Sequence, residues 1–430
     1  MSADSIDPAA PRSRPAVLEA MLRDLEELVT CESFSADLAA VARSAAVVAA
    51  QGTRLLGAAP ETIVTDGVTH LRWSFGVPRV LVLGHHDTVW PAGSLETRPW
   101  SVTGGIARGP GVFDMKAGLV QAFHALASLP SLDGVCLLVT GDEEVGSVTS
   151  RALVEEAARR CSAAFVLEAS ADGGVLKTAR KGTSNYEVLV HGRAAHAGLD
   201  PGRGANAAVE LAHQVLAIGG IAALADAEDG DPAAPGAVPS GGAAPAAPAA
   251  PGMGTTVTPT VLAAGTTVNT VPALARVSVD VRAPSLAAQD RVDGLMRALS
   301  PRIAGTRLEV IGGPNRPPME ASSSAGLFAL AERVAAGLGL GPLAGTAVGG
   351  ASDGNFTAGA GCPTLDGLGA VGGGAHADDE HVVVAEMPGR TALLAGLVEA
   401  VLTGGGGREE SGARAGAGTG TGEGARWAAP

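Results

Sequence analysis

The chain has 430 residues, 46% of them hydrophobic and 17% charged, with a formal net charge of −14. That length can bury two separate cores, and the apolar share excludes a disordered polar chain. The acidity, with no Lys/Arg run to displace phosphate counterions, argues against a nucleic-acid partner.

Met1 to Pro15 is polar and Pro-rich, without an apolar stretch behind a basic start, so no secretory signal is expected. No run approaches the roughly 18 apolar residues that a membrane span needs, which predicts a soluble, cytoplasmic protein. The scattered cysteines Cys31, Cys136, Cys161 and Cys362 read as reduced, buried thiols.

Val17, Leu18, Met21, Leu22, Leu25 and Leu28 recur at helical spacing and predict a helix over 15–30, with a second over 38–51. Short apolar runs at 79–83, 134–140 and 163–167, bounded by turn residues, suit fully buried strands, and a helix is expected over 115–129. Strand, helix, strand at this spacing predicts an α/β unit: a mostly parallel central sheet with helices on both faces. The pattern then changes. Tyr186–Val190 and Ala275–Arg282 alternate, with Val277, Val279 and Val281 on one side and Ser278, Asp280 and Arg282 on the other. An antiparallel sheet with one solvated face follows, covered by helices near 206–218 and 287–299. The expected organisation is a discontinuous α/β domain (15–182 and 317–403) with a smaller α+β domain (183–316) inserted. A helix near 325–338 resumes the first. The Ala/Pro-rich stretch 226–254 and the ends 1–14 and 404–430 are expected to be disordered.

The chemistry lies in an ordered series of residues with ligand atoms, most of them just after a predicted strand. They stand in His85-His86-Asp87, in Gly109-Pro-Gly-Val-Phe-Asp114-Met-Lys-Ala-Gly118, in Asp142-Glu143-Glu144-Val-Gly146, at Glu168 and in Gly373-Gly-Ala-His376-Ala-Asp378. Open α/β sheets gather ligands beyond their strand carboxyl ends. Two imidazoles and three carboxylates suffice for two zinc ions, with cobalt or manganese also suited to such donors. Taken singly, a His-x-Asp or a Glu-Glu pair is commonly structural; the ordered series is not. His70, His86, His124, His191, His213 and His381 read as non-ligands.

This series resembles the M20 metallopeptidases, a group that includes glutamate carboxypeptidases, aminoacylases, acetylornithine deacetylases and succinyl-diaminopimelate desuccinylases. The likeness runs from about Leu18 to Leu402. It implies two Zn²⁺ per subunit, held by His85, Asp114, Glu144, Glu168 and His376, with Asp114 bridging and followed by a cis peptide. Glu143 matches the general base and Asp87 the carboxylate that orients His85. The inserted domain would be a lid and dimerisation unit, making the protein a homodimer in which His196 reaches the neighbouring active site. Asn269 would contact the substrate or its oxyanion.

Arg282, Arg316 and Lys181 match the glutamate carboxypeptidase subgroup and imply recognition of a substrate carboxylate, with the loop around Gly350 holding a second one. Here that loop reads Gly349-Gly-Ala-Ser-Asp353 and departs from the family's Gly-Gly-Gly-Thr-Asp, which leaves the acyl pocket open. The implied activity is release of a C-terminal glutamate or a similar amino acid from a peptide or N-acyl amino acid. The alternatives are an N-acyl amino acid deacylase and, in another class, a non-catalytic relative that only binds. A lid hinge would fall near Thr183 and Arg316.

Overall fold

The computed structural model describes residues 14–227 and 253–404. The stretches expected to be disordered lie, but for their edge residues, outside the described residues. Two helices open the fold, α1 (Arg14–Thr30) and α2 (Leu38–Leu56), the second capped by the Asp37 carboxylate, which accepts from the Ala39 and Ala40 amides. A hairpin follows, β1 (Glu61–Thr65) and β2 (Val68–Ser74), turned by Asp66-Gly67 with positive φ at both residues. That hairpin is an addition to the sequence expectation.

Next come β3 (Val80–His85), α3 (Ala117–Ala127), β4 (Val135–Thr140), α4 (Arg151–Arg159), β5 (Ala163–Val166) and β6 (Leu176–Arg180). The chain then leaves the first core for β7 (Gly182–His191), α5 (Ala207–Gly219), α6 (Ile221–Ala227), β8 (Thr256–Ala264), β9 (Leu274–Ala283), α7 (Leu286–Arg297) and β10 (Arg307–Arg316). It returns in α8 (Ala321–Gly337), β11 (Gly345–Val348), α9 (Gly354–Gly359), β12 (Thr364–Leu365) and α10 (Met387–Leu402).

The central sheet runs β1-β2-β4-β3-β5-β12. Its four strands from β4 to β12 are parallel, and the β1–β2 hairpin adds an antiparallel edge. Every residue of β3 and β4 is buried. Val80 and Val82 pack into the core formed with α3 and α10, while Leu81 and Leu83 pack on the other face against Val154, Ala157 and Phe356. A strand covered on both faces must be apolar throughout, which is the reason for the continuous runs in the sequence.

The inserted part is a four-stranded antiparallel sheet in the order β8-β9-β7-β10. Val277, Val279 and Val281 are buried beneath α5, α6 and α7, and Ser278, Asp280 and Arg282 face outward and are partly exposed. By length and composition alone, Ala207–Asp226, across α5 and α6, is apolar enough to cross a membrane. Its apolar residues form no unbroken run because Glu210, His213 and Gln214 interrupt them. Leu211, Ile218, Ile221 and Ala225 pack on the sheet, and the buried Glu210 carboxylate accepts from the Arg302 and Ile303 amides.

Candidate metal centre

The sheet positions the site. His85 is the last residue of β3; Glu143 and Glu144 form the turn after β4; Glu168 follows β5. Asp114 sits in a single wide turn, Val112–Lys116, leading into α3, and the Asp114–Met115 peptide is cis. His376 is carried by a late loop and has φ of 60°. These five side chains, distant in sequence, form two interlocking triplets: His85, Asp114 and Glu168; and Asp114, Glu144 and His376.

Asp114 joins them. Its Oδ1 lies 3.4 Å from His85 Nε2 and its Oδ2 3.4 Å from His376 Nε2. Glu168 Oε1 is 3.7 Å from His85 Nε2, and Glu144 Oε2 is 3.0 Å from His376 Nε2. Donors about 2.1 Å from a tetrahedral ion stand about 3.4 Å from one another. The three longer separations therefore fit ligands around cations better than hydrogen bonds, which are shorter, while Glu144 and His376 stand within hydrogen-bond range. Two atoms strengthen the fit: buried His85 Nε2 and Glu144 Oε1 have no hydrogen-bond partner, a costly arrangement unless a cation completes it. His–carboxylate donor sets of this kind suit zinc, cobalt or manganese.

The electrostatics agree. Burial opposes protonation of His85, but the adjacent Asp114 and Asp87 carboxylates outweigh it and raise its pKa well above the ordinary value. Asp114 and then Glu144 hold the His376 proton, to about 10. Burial raises Glu168 to about 8 and Glu143 to about 7. In Asp114 burial is outweighed by its bonds to His376 and His85, and its pKa falls. A cation bound by these groups would compete with their protons.

Asp87 is fully buried. Its carboxylate lies 3.4 Å from His85 Nδ1, whose closer contact is the Asp87 carbonyl at 3.0 Å. The same carboxylate accepts from Ser35 Oγ and from the Glu143 and Glu144 amides, so it fixes the carboxylate turn as well as the ring. His86 points away, with Nε2 3.0 Å from the Thr69 carbonyl.

Glu143 belongs to neither triplet. Arg316 Nη1 donates to its Oε1 at 2.7 Å, and Arg316 Nη2 donates to Ser147 Oγ at 2.6 Å and approaches Asp353. The other residues matched to substrate binding are dispersed. Arg282 donates bidentately to Asp280 on the outward face of β9. Lys181 Nζ donates to the Gly254 carbonyl, and Gly350 gives its carbonyl to Arg180 Nη1. His196 is exposed on the inserted part, its Nδ1 accepting from the Gly198 and Leu199 amides, and Asn269 is exposed beside it.

Three residues escaped the sequence reading. Arg180, buried at the end of β6, donates from Nε to Asp366 at 2.6 Å and brings Nη2 within 3.7 Å of Glu168 Oε2. With Lys177, earlier on the same strand, it lines a cleft of about 580 Å³ that also takes in Ser170, Asp172, Thr346, Val348 and Gly350. No motif marked β6, so its cationic lining had no signal in the sequence. Glu380 lies four residues past His376, where only its spacing from that histidine could have drawn attention.

A mostly parallel α/β sheet with a paired His–carboxylate centre at its strand ends, and a second α+β unit inserted, defines a metallopeptidase or amidohydrolase. Residues 81–400 match the model of peptidase family M20/M25/M40, and the chain belongs to that family. It is 28% identical over 410 residues to carboxypeptidase G2 of Pseudomonas sp. (strain RS-16), covering 91% of this chain and 90% of that protein. It is also 28% identical over 344 residues to a succinyl-diaminopimelate desuccinylase of Methylorubrum extorquens, covering 75% of this chain and 82% of that protein. Among solved structures, the Bacillus subtilis YXEP protein, described as a dinuclear metal binding peptidase from the M20 family, superposes with a TM-score of 0.57 at 14% identity, covering 90% of this chain and 99% of that one.

Proposed function

We propose that the protein is a dinuclear zinc hydrolase of an amide bond beside a free carboxylate, releasing a C-terminal glutamate or a similar amino acid. The observation that carries this reading is Asp114, which offers one oxygen to each of two His–carboxylate triplets. Similarity to a carboxypeptidase over most of both chains supports the direction of cleavage. Similarity to a desuccinylase keeps N-acyl amino acid deacylation as the second reading.

His85, Asp114 and Glu168 would hold one zinc, and Asp114, Glu144 and His376 the other. Bound there, the pair supplies Lewis acidity toward the scissile carbonyl and lowers the pKa of water toward 7. Glu143, partly buried and raised to about 7, accepts the proton of the attacking water and passes it to the leaving nitrogen. Arg316 fixes the Glu143 carboxylate for both transfers. The cleft lined by Lys177 and Arg180, next to Glu168, receives the substrate carboxylate.

A second copy of the chain would supply His196 and Asn269. The inserted part supports this with an exposed apolar row on its helices (Val209, Leu216, Leu224) and the open edge strand β8, which exposes Val261 and Leu262. The test assays zinc-loaded protein on acyl-glutamate, acetyl-ornithine and small dipeptides. Glu143→Ala should keep its metal and lose turnover by roughly 10²–10⁴-fold. Mixing it with His196→Ala chains should restore part of the activity. Undiminished turnover in Glu143→Ala removes Glu143 as the base, and failed complementation removes His196 from the neighbouring site.

A further inference from the structure

The strongest unassigned group near the centre is Glu380, a carboxylate only 4% exposed on the loop that carries His376. Its Oε1 accepts from the Phe113 amide at 2.9 Å and the Asp114 amide at 3.1 Å. Its Oε2 accepts from the Gly111 amide at 2.9 Å and from Trp90 Nε1 at 2.7 Å. Three of the four donors are backbone N–H groups of the turn that presents Asp114.

Those amides lie where the chain runs into the wide turn before α3, and in a buried setting each needs an acceptor. One carboxylate serves all three and the indole as well. A buried carboxylate is itself expensive without such donors, so the loop and the turn each satisfy the other. The loop is closed at its own ends by the Ala377 amide donating to the Gly374 carbonyl and the Glu380 amide donating to the Ala377 carbonyl. On the outer side Arg98 packs 4.5 Å over the Trp90 ring and pairs with Asp378 of the same loop.

We infer that Glu380 is the positioning residue that sets His376 and Asp114 at the distance a cation requires, by tying the late loop to the turn before α3. The inference rests on the two-cation reading above. His376 is half exposed and belongs to the loop alone, whereas His85 is buried at the end of a strand held on both sides. Loss of the tie therefore acts first on the cation shared by Asp114, Glu144 and His376. Glutamine in place of Glu380 keeps the shape but turns an N–H₂ toward amide donors, so two of the four bonds cannot form.

The test is a Zn²⁺ titration of the metal-free full-length chain against a chromophoric chelator, with thermal unfolding of the metal-free form measured in parallel. Glu380→Gln should bind one zinc as the wild type does and the other about 10–100-fold more weakly, the range found when partners of metal ligands are removed. Trp90→Phe, which deletes one donor, should weaken the same zinc by a smaller factor. A folded Glu380→Gln with both affinities unchanged overturns the inference, and so does equal weakening of both sites. If Glu380→Gln does not fold, Trp90→Phe decides: unaltered affinity there overturns it. A wild type that takes up fewer than two zinc ions refutes the two-cation reading instead, so the two failures are separable.

Discussion

The central sheet and the inserted sheet solve different problems with the same backbone. The central strands are buried on both faces, so no side chain along β3 before His85, or along β4, is free for chemistry, and the candidate site groups stand where those strands end. There the candidate ligands and their supports are held from several directions: Asp87, behind His85, by Ser35 and two amides, Asp114 by the turn that Glu380 fastens, Glu168 beside Arg180. The inserted sheet buries one face only. Two of the inserted part's polar residues matched to substrate contacts are tied locally, Arg282 by Asp280 two residues away and His196 by the amides two and three residues on. Groups tied over long sequence separations hold a fixed geometry, while locally tied groups on an exposed face can exchange partners when another surface arrives.

If the central part alone supplies the cation geometry, Asp114→Ala should have the largest effect of any single change. Both triplets lose an oxygen, and turnover should fall by more than the roughly 10²–10⁴-fold expected for loss of the base. Metal analysis after gel filtration checks it, and retention of both zinc ions would break the comparison.

The same contrast predicts which part reads the substrate. Lys177→Ala, in the cleft beside Glu168, should raise KM for an acyl-glutamate by about 10–100-fold, the worth of a charge-assisted hydrogen bond. Arg282→Ala should shift it by only a few-fold, since Asp280 already engages that guanidinium. Steady-state kinetics on the two variants decide, and the reverse order would move carboxylate recognition to the inserted sheet.

A smaller, continuous effect is expected with pH. In the metal-free chain His376 holds its proton to about 10, through Asp114 and Glu144, and buried Glu168 holds one to about 8. Zinc must displace these protons and the one that His85 holds, so uptake releases protons and affinity rises with pH, by about tenfold per pH unit for each proton released. The rise should lessen as pH passes about 8, where Glu168 has lost its proton. Calorimetry in buffers of different ionisation enthalpy counts those protons, and pH-independent uptake would contradict the assigned ligands.

Much of the candidate site was legible because ligand chemistry leaves few choices of residue: an ordered series of His, Asp and Glu stood after apolar runs, and the resemblance to the M20 metallopeptidases singled out His85, Asp114, Glu144, Glu168 and His376 within it. The buried strands and the change to alternation were legible from periodicity. The Asp66-Gly67 turn carries a hairpin signal of its own, an Asp-Gly pair between β-rich stretches. Lys177, Arg180 and Glu380 had no such signal. A cation or carboxylate on a short strand or loop looks the same in sequence whether it meets solvent or a buried partner.

By itself, then, the sequence determined the α/β class, the change of pattern at the inserted part and the inventory of metal-ligating groups, because periodicity and donor chemistry are local properties. Tertiary structure alone decided that Asp114 stands between His85 and His376, that Arg316 grips Glu143, that Asp280 occupies Arg282 and that Glu380 fastens the loop to the turn. Most of those pairings span tens to hundreds of residues. They depend on which strand ends and loops the folded sheet brings together, and no local pattern carries that information.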